Sequence, residues 1–294
     1  VGRILVGFDG SPASATAVRW AARQALLRKA DLAVIHCSMW PAVTHDLAPV
    51  PGIADSGLRH AAEAVLAEGA VIARDESPDV AVSTVLKYGW PAVLLRDASA
   101  GADMLVVGSR GIGGFMGLLV GSVSLELAAT ADCPVAVIRE TEHPGGAVVV
   151  GIDALRFGSA PASKRLWEEV ARQACVLATL TESPLQIVYV QPRHGVWHRS
   201  TAPTGPHRPE DLLEDIARTV RRWSPALEVS TRILAGTSAA GTLLEASRAA
   251  GTVVVGTHGH GVVRASVGST AHAVLHHAQC PVLVVRPAGA AAGD

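Results

Sequence analysis

A chain of 294 residues is long enough for about two domains at roughly 100 to 200 residues each. Hydrophobic residues make up 49% and charged residues 17%, a balance that excludes disorder over most of the length. With 25 basic and 26 acidic residues the net charge is -1, so no broad field exists to hold nucleic acid or an anionic membrane, and neither is expected as a partner.

The first half reads as alternating strand and helix. Short continuous apolar runs at residues 4–8, 32–38, 82–86, 104–107 and 135–138 suit strands buried on both faces of a parallel sheet. Between the first two, Ser11 is placed to cap a helix whose first turn carries Pro12. A second helical period covers residues 58–73, and Pro91 opens a third that runs to Ala98. This alternation predicts an α/β open sheet with right-handed crossovers.

"ETEHPGGA" at residues 140–147 is the expected linker, because its Pro and Gly break both periodicities. Beyond it the pattern starts again. "VVGSRGIGGFMGLLVGSVS" from Val106 lines up with "VVGTHGHGVVRASVGSTAH" from Val254, and Cys133-Pro134 lines up with Cys280-Pro281 at an offset of 147 residues. Upstream, "ILVGFDGSPAS" matches "VVVGIDALRFGSAPAS", with Asp9 against Asp153. The repeat is too long for a solenoid and predicts two homologous domains, residues 1–140 and 147–288.

The cysteines Cys37, Cys133, Cys175 and Cys280 are far apart and in apolar surroundings, which reads as buried thiols in a reducing compartment. No basic region followed by an apolar run opens the sequence, and the longest uncharged stretch, residues 265–285, holds three His and a Pro. A cytoplasmic protein is the expectation.

Open parallel sheets bind ligands beyond the carboxyl ends of their strands. There the first half places a carboxylate, Asp9, after strand 1 and a Gly-rich loop after strand 4. A loop that opens a helix turns several unpaired N–H groups toward one concavity, where the helix dipole favours an anion. Phosphate is the expected occupant. A P-loop is excluded, because none of the three lysines, Lys29, Lys87 and Lys164, lies in a Gly loop. A dinucleotide fingerprint fails too, since strand 1 is followed by "DGSPAS".

These residues resemble the universal stress proteins in their tandem form. The family's ATP signature, G-x2-G-x9-G-[ST], stands intact as Gly108, Gly111, Gly121 and Ser122, flanked by "DGSPAS" and by the last strands "CPVAVIR" and "CPVLVVR". The resemblance implies two flavodoxin-like (Rossmann-like) sheets in tandem, each of strand order 3-2-1-4-5. It also implies ATP, with or without magnesium, held in the first domain by Asp9 and Cys37 at the nucleoside and by Gly108, Gly111, Gly121, Ser122 and Val123 at ribose and phosphates.

In the second domain the corresponding set is Asp153, Val190, Gly256, Gly259, Gly268, Ser269 and Thr270, but one residue is missing between the second and third Gly and "ALRF" intrudes after Asp153. Whether ATP binds there stays open. The resemblance further implies a nucleotide-dependent regulatory module in stress response, pairing of the last strands between the two domains and assembly into a homodimer, with the regulatory protein partner unknown. A slow ATPase or phosphotransferase and a nucleotide-free scaffold are the alternatives. No catalytic residue is assigned, because no lysine and no evident magnesium-binding acidic pair accompanies either loop.

Simpler roles compete at several positions. Asp9 before Gly-Ser could serve only to stabilise a turn, and Arg110 in the loop could be an exposed surface arginine rather than a phosphate ligand. His272 and His276 have metal-ligand spacing on one helix face, but neither they nor His258 and His260 have a Cys or carboxylate near in sequence, so no metal is expected.

Overall fold

The computed structural model describes residues 2–39, 57–111, 120–152, 161–192, 208–257 and 266–286. The chain divides into two units, Val1–Glu140 and Thr141–Asp294. In the first, β1 (Arg3–Gly7), α1 (Pro12–Arg28), β2 (Asp31–Ser38), α2 (Gly57–Glu76), β3 (Val82–Tyr88), α3 (Pro91–Ala98), β4 (Met104–Gly108), α4 (Ser122–Thr130) and β5 (Val135–Ile138) follow in order. The strands pair in parallel as β3-β2-β1-β4-β5, so consecutive β3 and β4 lie on opposite sides of β1. That reversal opens a crevice at the carboxyl ends of β1 and β4.

The core follows from the strand composition. Ile4, Leu5 and Val6 of β1, and every residue of β4 and β5, are buried. Each fully buried Val, Leu or Ile contributes about 1.5–3 kcal/mol relative to exposure. β3 departs from the expected two-sided burial. It is the outer strand, and Ser83 and Thr84 face solvent.

Successive residues of β1 point to opposite faces. Phe8, just after the strand, and Val34 meet α2 at Gly69, where a Cβ would lie 2.7 Å from the Phe8 ring, so the glycine lets the helix settle onto the sheet. Gly7 faces the other way, toward Leu95 of α3 and Val107 of β4. Cys37, two residues beyond Gly7's partner Ile35, therefore lies on the α3 face.

The second unit repeats the plan with β6 (Val148–Ile152), α5 (Pro161–Leu180), β7 (Leu185–Pro192), α6 (Pro209–Trp223), β8 (Val229–Gly236), α7 (Ala239–Ala246), β9 (Thr252–Gly256), α8 (Ser269–His277) and β10 (Val282–Val285). Its strands pair in parallel as β8-β7-β6-β9-β10. Ahead of β6 the expected linker forms a turn, with Gly145 at φ +75° and the Gly146 N–H donating to the His143 carbonyl at 2.9 Å. Among the described residues no helix is long and apolar enough to cross a membrane.

Candidate functional site

The sequence Asp9-Gly10-Ser11 turns the chain from β1 into α1. Gly10 takes φ +85°, a region that favours glycine, and the Ser11 N–H and hydroxyl both donate to Asp9 Oδ1, at 3.0 and 2.6 Å. Ser11 Oγ also accepts from the Ser14 N–H at 3.2 Å, capping α1, while Ser14 Oγ accepts from the Asp9 N–H at 3.3 Å. This is the turn-stabilising role of Asp9, but it uses Oδ1. Oδ2 lies toward the Gly-rich loop, where a Cβ on Gly111 would stand 2.6 Å away.

The described ends of that loop are tied together. The Ser109 N–H donates to the Ile138 carbonyl at 2.9 Å, and the Gly121 N–H donates to the Ser109 carbonyl at 2.8 Å, which brings the start of α4 back over the end of β4. Ser124 Oγ donates to the Gly108 carbonyl at 2.8 Å and fixes the first turn of α4 to the strand. Gly108 is required by close approach, since a Cβ there would lie 2.8 Å from the backbone carbon and oxygen of Ala13.

Gly121 is the N-cap of α4 and supplies no side-chain cap. The N–H groups of Ser122, Val123 and Ser124 occupy the first turn, where no preceding helical carbonyl can receive them. These donors, the Gly111 bend and Asp9 meet at the crevice between β1 and β4. Such an arrangement can hold an anion of phosphate chemistry next to a group that donates hydrogen bonds to a carboxylate, as a sugar hydroxyl does. Arg110 is turned aside, its guanidinium paired with Glu140 at 2.6 Å on the exposed surface.

Cys37 continues the site sideways. Gly7 pairs with Ile35 and the Phe8 N–H donates to the Ile35 carbonyl at 2.9 Å, so Cys37 comes level with Asp9 one strand over. Its register partner on β3 is Lys87. Burial pushes the Cys37 thiol up to about 11 against the opposing pull of the Lys87 charge. Cys133, Cys175 and Cys280 are buried, but Cys37 is only partly so, which corrects the expectation of four buried thiols. The sequence reading did not single out Ser109, Ser124 or Lys87. The serines act through backbone closure that no residue spacing announces, whereas the position of Lys87 opposite Cys37 follows once the β2–β3 register is known.

In the second unit Asp153 and Gly259 lie outside the described residues, as do His258 and His260. The described ends of the loop repeat the closure, with the Thr257 N–H donating to the Val285 carbonyl at 3.0 Å and the Gly268 N–H to the Thr257 carbonyl at 2.7 Å. Gly268 caps α8 without a side chain, and Ser269 and Thr270 open that helix. Val190 follows Tyr189, the register partner of Ile152, at the end of β7. One tie is missing, because Ala271 stands where the first unit has Ser124. The rings of His272 and His276 lie 4.5 Å apart, and among the described residues no three His, Cys, Asp or Glu gather as a metal set would.

The model of the universal stress protein family matches residues 1–139 and again 147–286. The chain belongs to the universal stress protein family. A universal stress protein of Mycolicibacterium smegmatis is 33% identical over 297 residues, covering 97% of each chain, and one of Mycobacterium tuberculosis is 31% identical over 290 residues, covering 96% of each. Among solved structures, a universal stress protein from Archaeoglobus fulgidus superimposes with a TM-score of 0.72 at 19% identity, over 97% of this chain and 98% of that one. This universal stress protein thus carries the family's flavodoxin-like fold in each half.

Proposed function

We propose that this universal stress protein binds ATP, with or without magnesium, at the crevice of its first domain and acts in the cytoplasm as a nucleotide-dependent regulatory module of the stress response. The observation that carries this reading is the meeting of Gly111 with Asp9 beneath the uncapped start of α4. In it, the amides of Ser122, Val123 and Ser124 face the phosphates, with Gly121 holding the loop closed through its bond to Ser109, Asp9 faces the ribose, and Cys37 lies under the base. Binding rather than turnover is favoured because no lysine sits in the loop and Arg110, the cation nearest to it, is held by Glu140. The second domain keeps the loop closure, which supports a weaker anion site there without the full nucleoside contact.

Counting nucleotide equivalents released from the purified chain by mass spectrometry tests this directly, with one expected per chain. Added ATP at ~100 times its Kd stabilises the fold by about 2.7 kcal/mol if it binds the native state alone. An unchanged unfolding midpoint at millimolar ATP, with no co-purified nucleotide, rejects the reading.

A further inference from the structure

Trp90 is 63% exposed, more than any other large hydrophobic side chain among the described residues. It stands at the carboxyl end of the sheet. The Cys37–Lys87 and Ser38–Tyr88 pairs bring the end of β3 beside the end of β2, and the Gly89 N–H donates to the Ser38 carbonyl at 3.0 Å. Gly89, at φ +134°, then turns the chain so that Trp90 becomes the N-cap of α3, the helix on the Cys37 face. Lys87 shares that face and makes no ion pair with another described residue.

The strand order acts as a ruler. From β4 across β1 to β2 is two spacings of about 4.8 Å each. A nucleotide with its phosphates at the start of α4 and its sugar at Asp9 therefore carries its base over β2, and the next strand outward is β3. We propose that Trp90 and Lys87 complete the base subsite of the first domain, the indole stacking on the purine and the ammonium donating to an acceptor on the ring's outer edge. This rests on the nucleotide reading above and adds the residues that recognise the base.

The second half supplies an internal comparison. "VST" at residues 82–84 recurs at residues 229–231, and the same offset places Leu234 where the first half has Lys87 and Thr237 where it has Trp90. Both features are confined to the half whose phosphate signature is intact. An exposed indole on the rim of a crevice costs hydration of a large apolar face, and stacking on a base recovers that area without requiring a particular base.

The test uses the full chain with ATP as probe, following calorimetry and tryptophan emission together. Wild type should show emission quenched in proportion to calorimetric saturation. Trp90→Phe should retain affinity within about threefold but lose the quench, Trp90→Ala should bind about tenfold more weakly, and Lys87→Met several-fold more weakly. Thermal midpoints close to wild type in the absence of ATP confirm that the exposed substitutions leave the fold intact. ATP binding undiminished in Trp90→Ala, with quenching that persists in Trp90→Phe, overturns this inference and leaves the nucleotide site standing. Absence of calorimetric binding in wild type overturns both.

Discussion

Gly111 and Asp9 are in such close apposition that a methyl group on the glycine would stand 2.6 Å from the carboxylate Oδ2. The aspartate cannot simply withdraw, because its other oxygen is gripped by the Ser11 N–H and hydroxyl. Gly111→Ala should therefore displace Asp9 or the loop and weaken ATP binding at least tenfold, read by calorimetry. Stability should change by less than about 1 kcal/mol, since the clash involves a side-chain tip at a surface crevice. Wild-type affinity in this variant would contradict the placement of the ribose at Asp9.

Gly108 and Gly256 occupy equivalent strand ends but differ in what surrounds them. A Cβ at Gly108 would meet the backbone of Ala13 at 2.8 Å, whereas one at Gly256 would meet only Leu166 and Val170 side-chain carbons at 3.4 Å. Gly108→Ala should cost about 1–3 kcal/mol through overpacking. Gly256→Ala should cost less than about 1 kcal/mol. Urea denaturation of the two variants provides the comparison, and equal costs would refute the difference in helix approach.

Ser11 performs two tasks, capping α1 and holding Asp9 Oδ1. Ser11→Ala should lose about 1 kcal/mol of stability from the cap alone. It should also weaken ATP binding by freeing the carboxylate to rotate, an effect absent from a substitution that only uncaps the helix, such as Ser238→Ala at α7.

The thiols of Cys37 and Cys133 are pushed up to about 11 and about 12, chiefly by burial. Both folded values lie above the ordinary value of 9.0, so the unfolded chain releases these protons first. Their contribution to stability is fully present below pH 9 and is lost as pH rises through about 11 and 12. Chemical denaturation from pH 8 to 11 should show stability falling, with a shallower fall in Cys37→Ser. Alkylation of native protein at pH 7.5 should be slow at all four cysteines.

Much of this architecture is legible in the residues themselves. Pro12 and Pro91 mark helix starts, the apolar runs of β1, β4 and β5 mark buried strands, and the Gly108–Gly111–Gly121 spacing marks the loop, because each reflects local backbone chemistry. The half-exposed β3 is harder to read, since its Val82, Val85 and Leu86 look like those of an inner strand and only the pairing order shows that no strand among the described residues lies beyond it. The position of Lys87 opposite Cys37 depends on register, which is a tertiary property. In the second half, the change of geometry expected from the shorter Gly259-to-Gly268 interval falls on residues 258–265, outside the described residues. At the two described ends of the loop, the backbone bonds of Thr257 and Gly268 are those of Ser109 and Gly121.

That shared closure separates the clasp from the span it encloses. With both feet anchored by the same pair of main-chain bonds, the intervening segment can be transplanted between halves without retuning the scaffold. A chimaera carrying residues 258–267 in place of 110–120 should fold like the parent and reveal, in its ligand preference alone, how much a single deleted residue narrows the grip.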